Sequence, residues 1–164
     1  MKLKLTKNST NSKTDLCQFI RKDGSIDELV LPRQGILPHD LVHYVVESQF
    51  ALANGFLSLI ARGASASFIM ELAHLGDVNK IEEAAVQVEA IVEALQTQLW
   101  NGSYEHEYFI YGIQTACAAR KIATPDLPSS ELGHTLFQHA LDLNHQWQSV
   151  APYEEMELEF SKSD

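Results

Sequence analysis

Two imidazoles and two carboxylates are concentrated in residues 38–47, Pro-His-Asp-Leu-Val-His-Tyr-Val-Val-Glu. Residues four apart on a helix face the same way, so His39 and His43 can bind one metal ion together. Glu47 lies one further turn along nearly the same line. Because zinc needs three or four donors, a further ligand must come from another segment, and His106 has suitable chemistry. The sequence therefore predicts a candidate site for a divalent metal such as zinc, with His39, His43, Glu47 and His106 as ligands.

The same residues also have explanations that involve no metal. His39 borders the apolar face of the predicted helix and can pack there, while His43 and Glu47 can form a surface pair. Asp40 falls near the third helical position, where a carboxylate meets unsatisfied N–H groups. In favour of ligation, the positive end of the helix dipole keeps His39 neutral. On the sequence alone we prefer the explanation without a metal.

This segment resembles three kinds of known metal site, and each resemblance is partial. His39 and His43 match the two histidines of the HExxH motif of zinc-dependent peptidases, but Asp40 stands where that motif has glutamate. The doublet His39-Asp40 is similar to that of the HD phosphohydrolases, which also use an earlier histidine, and none precedes His39. A looser similarity is to DinB-type helical bundles, whose three-histidine site includes an HxxxH pair, although the order of motifs and the flanking strands differ here. We assign the chain to no family from its sequence.

The orientation of His106 is predicted by the residues that follow it. His106 aligns at helical spacing with Ile110, Ile113 and Cys117, so its side chain is expected to point inward. Two interpretations remain open, a histidine of the core or of an interface and a third metal ligand. The other candidate donors are His74, Glu105 and Glu107.

Composition and charge exclude several classes of function. The formal net charge is −10, and the lysines and arginines are scattered, so the chain lacks the basic patch that binds nucleic acid. No apolar run approaches the roughly 20 residues needed to span a bilayer. Phosphate-binding, dinucleotide-binding and serine-hydrolase motifs are absent from the sequence. The two cysteines, Cys17 and Cys117, are far apart and form no CxxC pair, which favours a reducing, cytoplasmic setting.

The two ends of the chain carry complementary strand patterns. Lys2 and Lys4 alternate with apolar residues, and Glu157 and Glu159 do the same near the other end. If these strands are neighbours, lysine faces glutamate on the solvent side and the apolar side chains meet on the inner side. We therefore expect the first and last strands to pair.

Residues 16–31 are predicted to form a hairpin around Asp23-Gly24, with two possible registers. A loop of Lys22-Asp23-Gly24 puts glycine where a left-handed backbone is wanted. A loop of Asp23-Gly24-Ser25 instead pairs Phe19 with Leu29 and Arg21 with Asp27. Both registers stay open at this point.

From Pro38 onward the apolar pattern is helical. The first helix is expected over 38–62 as a mostly buried central helix, followed by a short helix near 67–75. The third begins at Asn79 and is amphipathic, which predicts a solvated face for its acidic residues. Two more helices are expected, one at about 104–120 and one after Ser129 or Ser130. The acidic residues assigned to the solvated face are Glu82, Glu83, Glu89 and Glu93.

These patterns predict a predominantly α member of the α+β class, with about five helices and a small antiparallel sheet. One domain is expected over 1–164, mainly β over 1–35, helical over 38–150, with a closing strand at 155–161. The first functional interpretation is a cytoplasmic helical domain that acts through protein contacts, with a homodimer or another protein as partner and neither nucleic acid nor membrane. The second is a metal-dependent hydrolase built on His39 and His43, with a metal-bound water as nucleophile.

Overall fold

The computed structural model describes residues 1–49, 55–69 and 83–161. Four strands and five named helices lie in these ranges, and residues 66–69 form a further helical segment. The α+β class is thus confirmed, with six helical segments instead of about five. The elements are β1 (Lys2–Thr6), β2 (Thr14–Ile20), β3 (Ile26–Pro32), α1 (His39–Gln49), α2 (Phe56–Ala61), α3 (Glu83–Asn101), α4 (His106–Ala119), α5 (Leu132–Ser149) and β4 (Glu155–Glu159).

The predicted pairing of the first and last strands is confirmed. The sheet is antiparallel with the order β3-β2-β1-β4, so β1 lies between the hairpin and the C-terminal strand. On the inner face Leu3 is opposite Leu158. On the outer face the amine of Lys2 lies 2.8 Å from the carboxylate of Glu157, diagonally across the strands. Apolar contact inside and opposite charge outside therefore both fix this register.

The hairpin adopts the register with the Lys22-Asp23-Gly24 loop. Arg21 N–H donates to the Ser25 carbonyl at 2.9 Å, and Phe19 is opposite Asp27. Gly24 has φ +84°, a left-handed conformation that glycine adopts without steric cost. The alternative register, which pairs Phe19 with Leu29, is wrong because the loop geometry at glycine decides the pairing.

The first predicted helix is not continuous over 38–62. Helix α1 ends at Gln49, residues 50–54 lie outside the described ranges, and Gly55 is extended with φ −71° and ψ 176° before α2 begins. The physical cause is Glu47, whose carboxylate accepts the N–H groups of Leu57 and Ser58 at 3.0 and 3.3 Å. A Cβ atom at Gly55 would collide with that carboxylate. The helical pattern therefore missed a break that a side chain stabilises from a neighbouring helix.

The later helices follow the predicted order. Residues 66–69 begin the short helix predicted near 67–75, while the rest of that prediction and the predicted start at Asn79 fall outside the described residues. Helices α3, α4 and α5 correspond to the third, fourth and fifth predictions. Helix α3 packs against α1, α2, α4 and α5, so it holds the central position that the sequence predicted for the first helix. Most buried apolar side chains of the sheet and the helices form one core, and Ala85 and Val86 form a small second cluster.

Val88 belongs to the main core and is fully buried. Val88→Asp places an unpaired charge among apolar side chains, so we expect a loss of more than about 3 kcal/mol in the free energy of unfolding. Urea denaturation followed by circular dichroism measures this change. Thr97→Asp adds the same charge at an exposed position of α3 and serves as the control, with an expected change within about 1 kcal/mol. Equal stability of the two variants would remove Val88 from the core.

Removal of β4 tests the pairing of the chain ends. A chain that ends at residue 154 exposes the free edge of β1 and the inner apolar face of the sheet. Its melting temperature is expected to fall by about 5 °C or more. A chain that ends at Ser161 retains β4 and should melt like the full chain. Identical melting of all three chains would contradict the role assigned to β4.

Candidate metal centre

Three side chains on two helices bring potential ligand atoms together. His39 and His43 project from α1, and Glu89 projects from α3, which packs against it. One ligand atom from each of the three lies within 4.8 Å of the other two. Bonds of roughly 2.0–2.1 Å to a tetrahedral zinc ion place neighbouring ligand atoms about 3.3 Å apart, so small side-chain movements suffice to surround an ion. His39, His43 and Glu89 are called the triad below.

The Nε2 atoms of both histidines face the Glu89 carboxylate. Nε2 of His39 lies 3.4 Å from Oε1, and Nε2 of His43 lies 2.9 Å from Oε2. Despite the short distance, His43 Nε2 and the Glu89 oxygens make no hydrogen bond of acceptable geometry within the described residues. The atoms are therefore close without being aligned for an N–H to donate, as expected for groups that converge on a common point.

The opposite ring nitrogen of each histidine has a fixed partner. Nδ1 of His43 lies 3.2 Å from Oε1 of Glu47, and Nδ1 of His39 lies 2.8 Å from Oε1 of Gln96. Gln96 in turn donates to Gln34 at 3.2 Å. Since carboxylate and amide oxygens accept hydrogen bonds, a proton on Nδ1 of each ring satisfies these two contacts and leaves Nε2 directed at Glu89. Metal-bound histidines are commonly oriented in this way.

Glu47 connects the triad to the backbone. Besides contacting His43, its carboxylate accepts the N–H of Leu57 at 3.0 Å from each oxygen, at the N-terminus of α2. The ring of Phe56 packs on His43 with centroids 4.9 Å apart, which fixes the other side of the imidazole. The structure therefore places Glu47 behind His43 as an orienting group, and not among the three ligand atoms that converge.

Glu89 was missed by the sequence analysis, which assigned it to a solvated face. Its side chain is only 2% exposed and belongs to the triad. The assumption that failed is that a carboxylate outside the main apolar stripe of a helix reaches water. Helix α3 is covered on several sides, so positions beyond the stripe are buried as well. A usable signal was the sequence around it, since apolar residues surround Glu89 without interruption over 88–92.

The structure does not bring His106 to the triad. His106 is exposed at the start of α4, and its Nδ1 lies 3.1 Å from the hydroxyl of Tyr104. The expected inward orientation is wrong because the buried stripe of α4 runs through Phe109, Ile113 and Cys117 and begins one turn later. Glu105 and Glu107 are also exposed, and His74 lies outside the described residues.

Asp40 adds a second buried carboxylate beside the triad. It is 2% exposed, and its Oδ1 has no hydrogen-bond partner among the described residues. Burial raises the pKa of Asp40, while the positive charges of His39 and His43 act in the opposite direction. An isolated buried carboxylate is costly, so this position favours a cation nearby.

The pKa values within the triad are strongly shifted in the metal-free protein. Burial alone would lower the pKa of His43, but the Glu89 and Glu47 carboxylates outweigh it and raise this pKa to about 10. Burial alone would raise the pKa of Glu89, but His43 and His39 hold it well below its usual range. The metal-free triad is thus an imidazolium and a carboxylate that stabilise each other. A divalent cation bound at the triad would supply positive charge in place of that proton.

The triad opens on a cleft of about 600 Å³. His39, Asp40 and Glu89 line one side of the cleft, and Leu29, Val30 and Pro32 of β3 line another. If the triad held an ion, the cleft would leave a coordination position for water or for a substrate atom, as catalytic metal sites do. Polar side chains complete the described lining, namely Gln34, Ser67, Glu93 and Gln96.

Comparison of the chain with protein-family models, with curated proteins and with solved structures gave no match. No helix among the described residues is long and apolar enough to cross a membrane.

The pH dependence of stability tests the charge state of the triad. In the metal-free protein the pKa of His43 is about 10 when folded and near 6.5 when unfolded, so its imidazolium stabilises the fold fully below about pH 6.5. This contribution is lost as the pH rises toward 10. We expect the melting temperature of metal-free protein to fall over this range, and to fall less in His43→Asn. Parallel curves for the two proteins would show that His43 is not protonated at neutral pH.

Proposed function

We propose that this protein is a metal-dependent hydrolase that binds one divalent cation of the zinc class through His39, His43 and Glu89. The observation that supports the proposal is the convergence of the three ligand atoms within 4.8 Å. From the sequence alone we preferred a domain that acts through protein contacts, and the buried convergence of ligand atoms supports metal binding instead.

The charge balance of the site supports a cation more than a structural ion pair. Three carboxylates, those of Asp40, Glu47 and Glu89, are buried within contact or electrostatic reach of His43. Replacing a buried ion pair by apolar residues is often neutral or stabilising, so such pairs contribute little to a fold. A divalent ion neutralises more of this charge than one imidazolium does. Metal binding is therefore the better account of why so many charged groups are buried together.

The chemistry follows from the ligand set and from the cleft. Two imidazole nitrogens and one carboxylate oxygen form a ligand set used by catalytic zinc, which lowers the pKa of a bound water to about 7. The same set with open positions also holds Fe(II) in oxygenases, so the metal must be measured and not assumed. The free, buried state of Cys17 and Cys117 fits the reducing, cytoplasmic location that completes the proposal.

Calorimetric titration of tag-free protein with zinc, manganese and, without oxygen, Fe(II) tests this function. One ion per chain is expected, with zinc bound at micromolar concentration or more tightly, and the ion should raise the melting temperature by mass action. His43→Ala and Glu89→Gln each remove one ligand and should lose the binding and the increase in melting temperature. His106→Ala alters an exposed histidine and should bind like the parent protein.

The Asp40→Asn variant tests whether Asp40 binds the metal or only lies beside the residues that do. The variant should retain one ion per chain, with its affinity reduced by no more than about 10–100-fold, the effect of changing a residue that contacts the ligands without binding the metal. Absence of stoichiometric binding to the parent protein at micromolar concentration would refute the metal-dependent function.

A second candidate function is favoured by the exposed face of α4. Tyr108 and Tyr111 are 70% and 67% exposed and line an open groove with Ile110. Aromatic residues of this kind are enriched in protein interfaces. If no metal binds, contact with a protein partner or with a second copy through this face becomes the better proposal. Sedimentation of the parent chain and of Tyr108→Ala distinguishes self-association from a monomer.

A further inference from the structure

The wall of the cleft opposite the triad is an edge of the sheet. Within the described residues β3 is hydrogen-bonded to β2 on one side, and no strand lies on its other side. Leu29, Val30 and Pro32 of this strand line the same cleft as His39 and Glu89. The main chain of an edge strand has unpaired N–H and C=O groups along its length, which can pair with another extended chain.

The hydrogen-bond pattern of the hairpin identifies which main-chain groups face outward. Arg21 N–H donates to the Ser25 carbonyl and Arg33 N–H donates to the Lys13 carbonyl, both at 2.9 Å. Because hydrogen-bonded pairs alternate in an antiparallel ladder, Leu29 and Leu31 also direct their backbone groups at β2. Val30, between them, directs its N–H and C=O away from β2.

Val30 carries the outward N–H among the three residues of β3 that line the cleft. The neighbouring outward N–H, that of Glu28, donates to Asp27 Oδ1 at 2.9 Å, and Pro32 has no N–H. The Val30 side chain is 59% exposed and leaves access to its backbone. One donor and one acceptor on residue 30 thus border a cleft that ends at the proposed metal.

The charge of the cleft and of the whole chain favours neutral or cationic substrates. Asp40, Glu89 and Glu93 line the cleft, where Glu93 is paired with Arg120 at 2.6 Å, and the whole chain carries a net charge of −10. A nucleic acid, with one negative charge per nucleotide, is disfavoured by this net charge. A neutral or cationic chain with amide groups complements both the acidic side and the backbone of Val30.

We propose that the cleft binds an extended peptide segment, which pairs with the main chain of Val30 and places one of its amide bonds at the metal. Cleavage rests on the proposed function, whereas pairing with β3 does not. In the hydrolysis the water oxygen adds to the acyl carbon and the C–N bond breaks. The nitrogen takes a proton from that water, so the products are a carboxylic acid and an amine, and no oxidant or reductant is required.

Val30→Pro tests the pairing because it removes the outward N–H. Proline is tolerated at edge positions whose N–H does not belong to the ladder. Val30→Ala shortens the same side chain and retains the N–H, so it is the matched control. The probe is a mixture of synthetic, end-capped decapeptides with basic and apolar side chains. Zinc-loaded full-length protein is incubated with the mixture and the products are identified by mass spectrometry.

The parent protein and Val30→Ala are expected to cleave the peptides at similar rates. Val30→Pro should lose about three- to tenfold, the effect of one hydrogen bond, while binding zinc as the parent does. Equal rates for both variants would refute pairing at Val30. Zinc binding without peptide cleavage, and with hydrolysis of a phosphate diester instead, would refute the peptide substrate and leave the metal-dependent function standing.

Hydrogen exchange gives a measurement that needs no variant and no metal. Addition of the peptide mixture to metal-free protein should slow exchange at the Val30 amide and leave the Leu29 amide, already in the ladder, unchanged. If Val30→Pro does not fold, hydrogen exchange of the parent protein still tests whether the peptide pairs with Val30. Unchanged exchange at Val30 with saturating peptide would overturn the proposal, whereas failure to bind zinc would overturn the metal-dependent function and the cleavage and leave the pairing with β3 standing.

Discussion

The burial of the Glu89 carboxylate against two imidazoles is the constraint on which the rest of the site depends. A carboxylate that is 2% exposed at the centre of the helical layer requires compensating charge. His39 and His43 provide it from α1 when each directs Nε2 toward α3. The packing of α1 on α3 is therefore an electrostatic contact as well as an apolar one. The two helices cannot shift along each other without separating these charges.

The elements around the triad hold its side chains in place. Glu47 fixes the ring of His43 and at the same time accepts the first N–H groups of α2, so the break between α1 and α2 is part of the site. Gly55 leaves space for that carboxylate. On the other side the hydrogen bonds through Gln96 and Gln34 connect His39 to the segment that follows β3. The sheet edge and the triad are in this way positioned by the same contacts, which is why one cleft adjoins both.

The features that could be predicted from the sequence are those that depend on the spacing of residues within one strand or one helix. Period-two alternation identified the terminal strands, and the four-residue spacing of His39 and His43 placed both rings on one side of α1. Glu89 was not predictable in the same way, because its burial depends on how many helices surround α3. His106 was expected to be buried and is exposed. Its spacing matches the apolar stripe of α4, but the buried part of that stripe begins only at Phe109. Local periodicity describes one helix, whereas a metal site is defined by the contact between helices.

X-ray absorption spectroscopy of the zinc-loaded protein tests the ligand assignment, since it reports the atoms bound to the metal. We expect nitrogen and oxygen neighbours at roughly 2.0–2.1 Å, with more distant scattering from two imidazole rings that is lost in part when His43 is replaced by alanine. A sulfur shell at roughly 2.3 Å would assign the metal to a cysteine. That result, or a spectrum without imidazole scattering, would contradict the assignment of His39, His43 and Glu89 as the ligands.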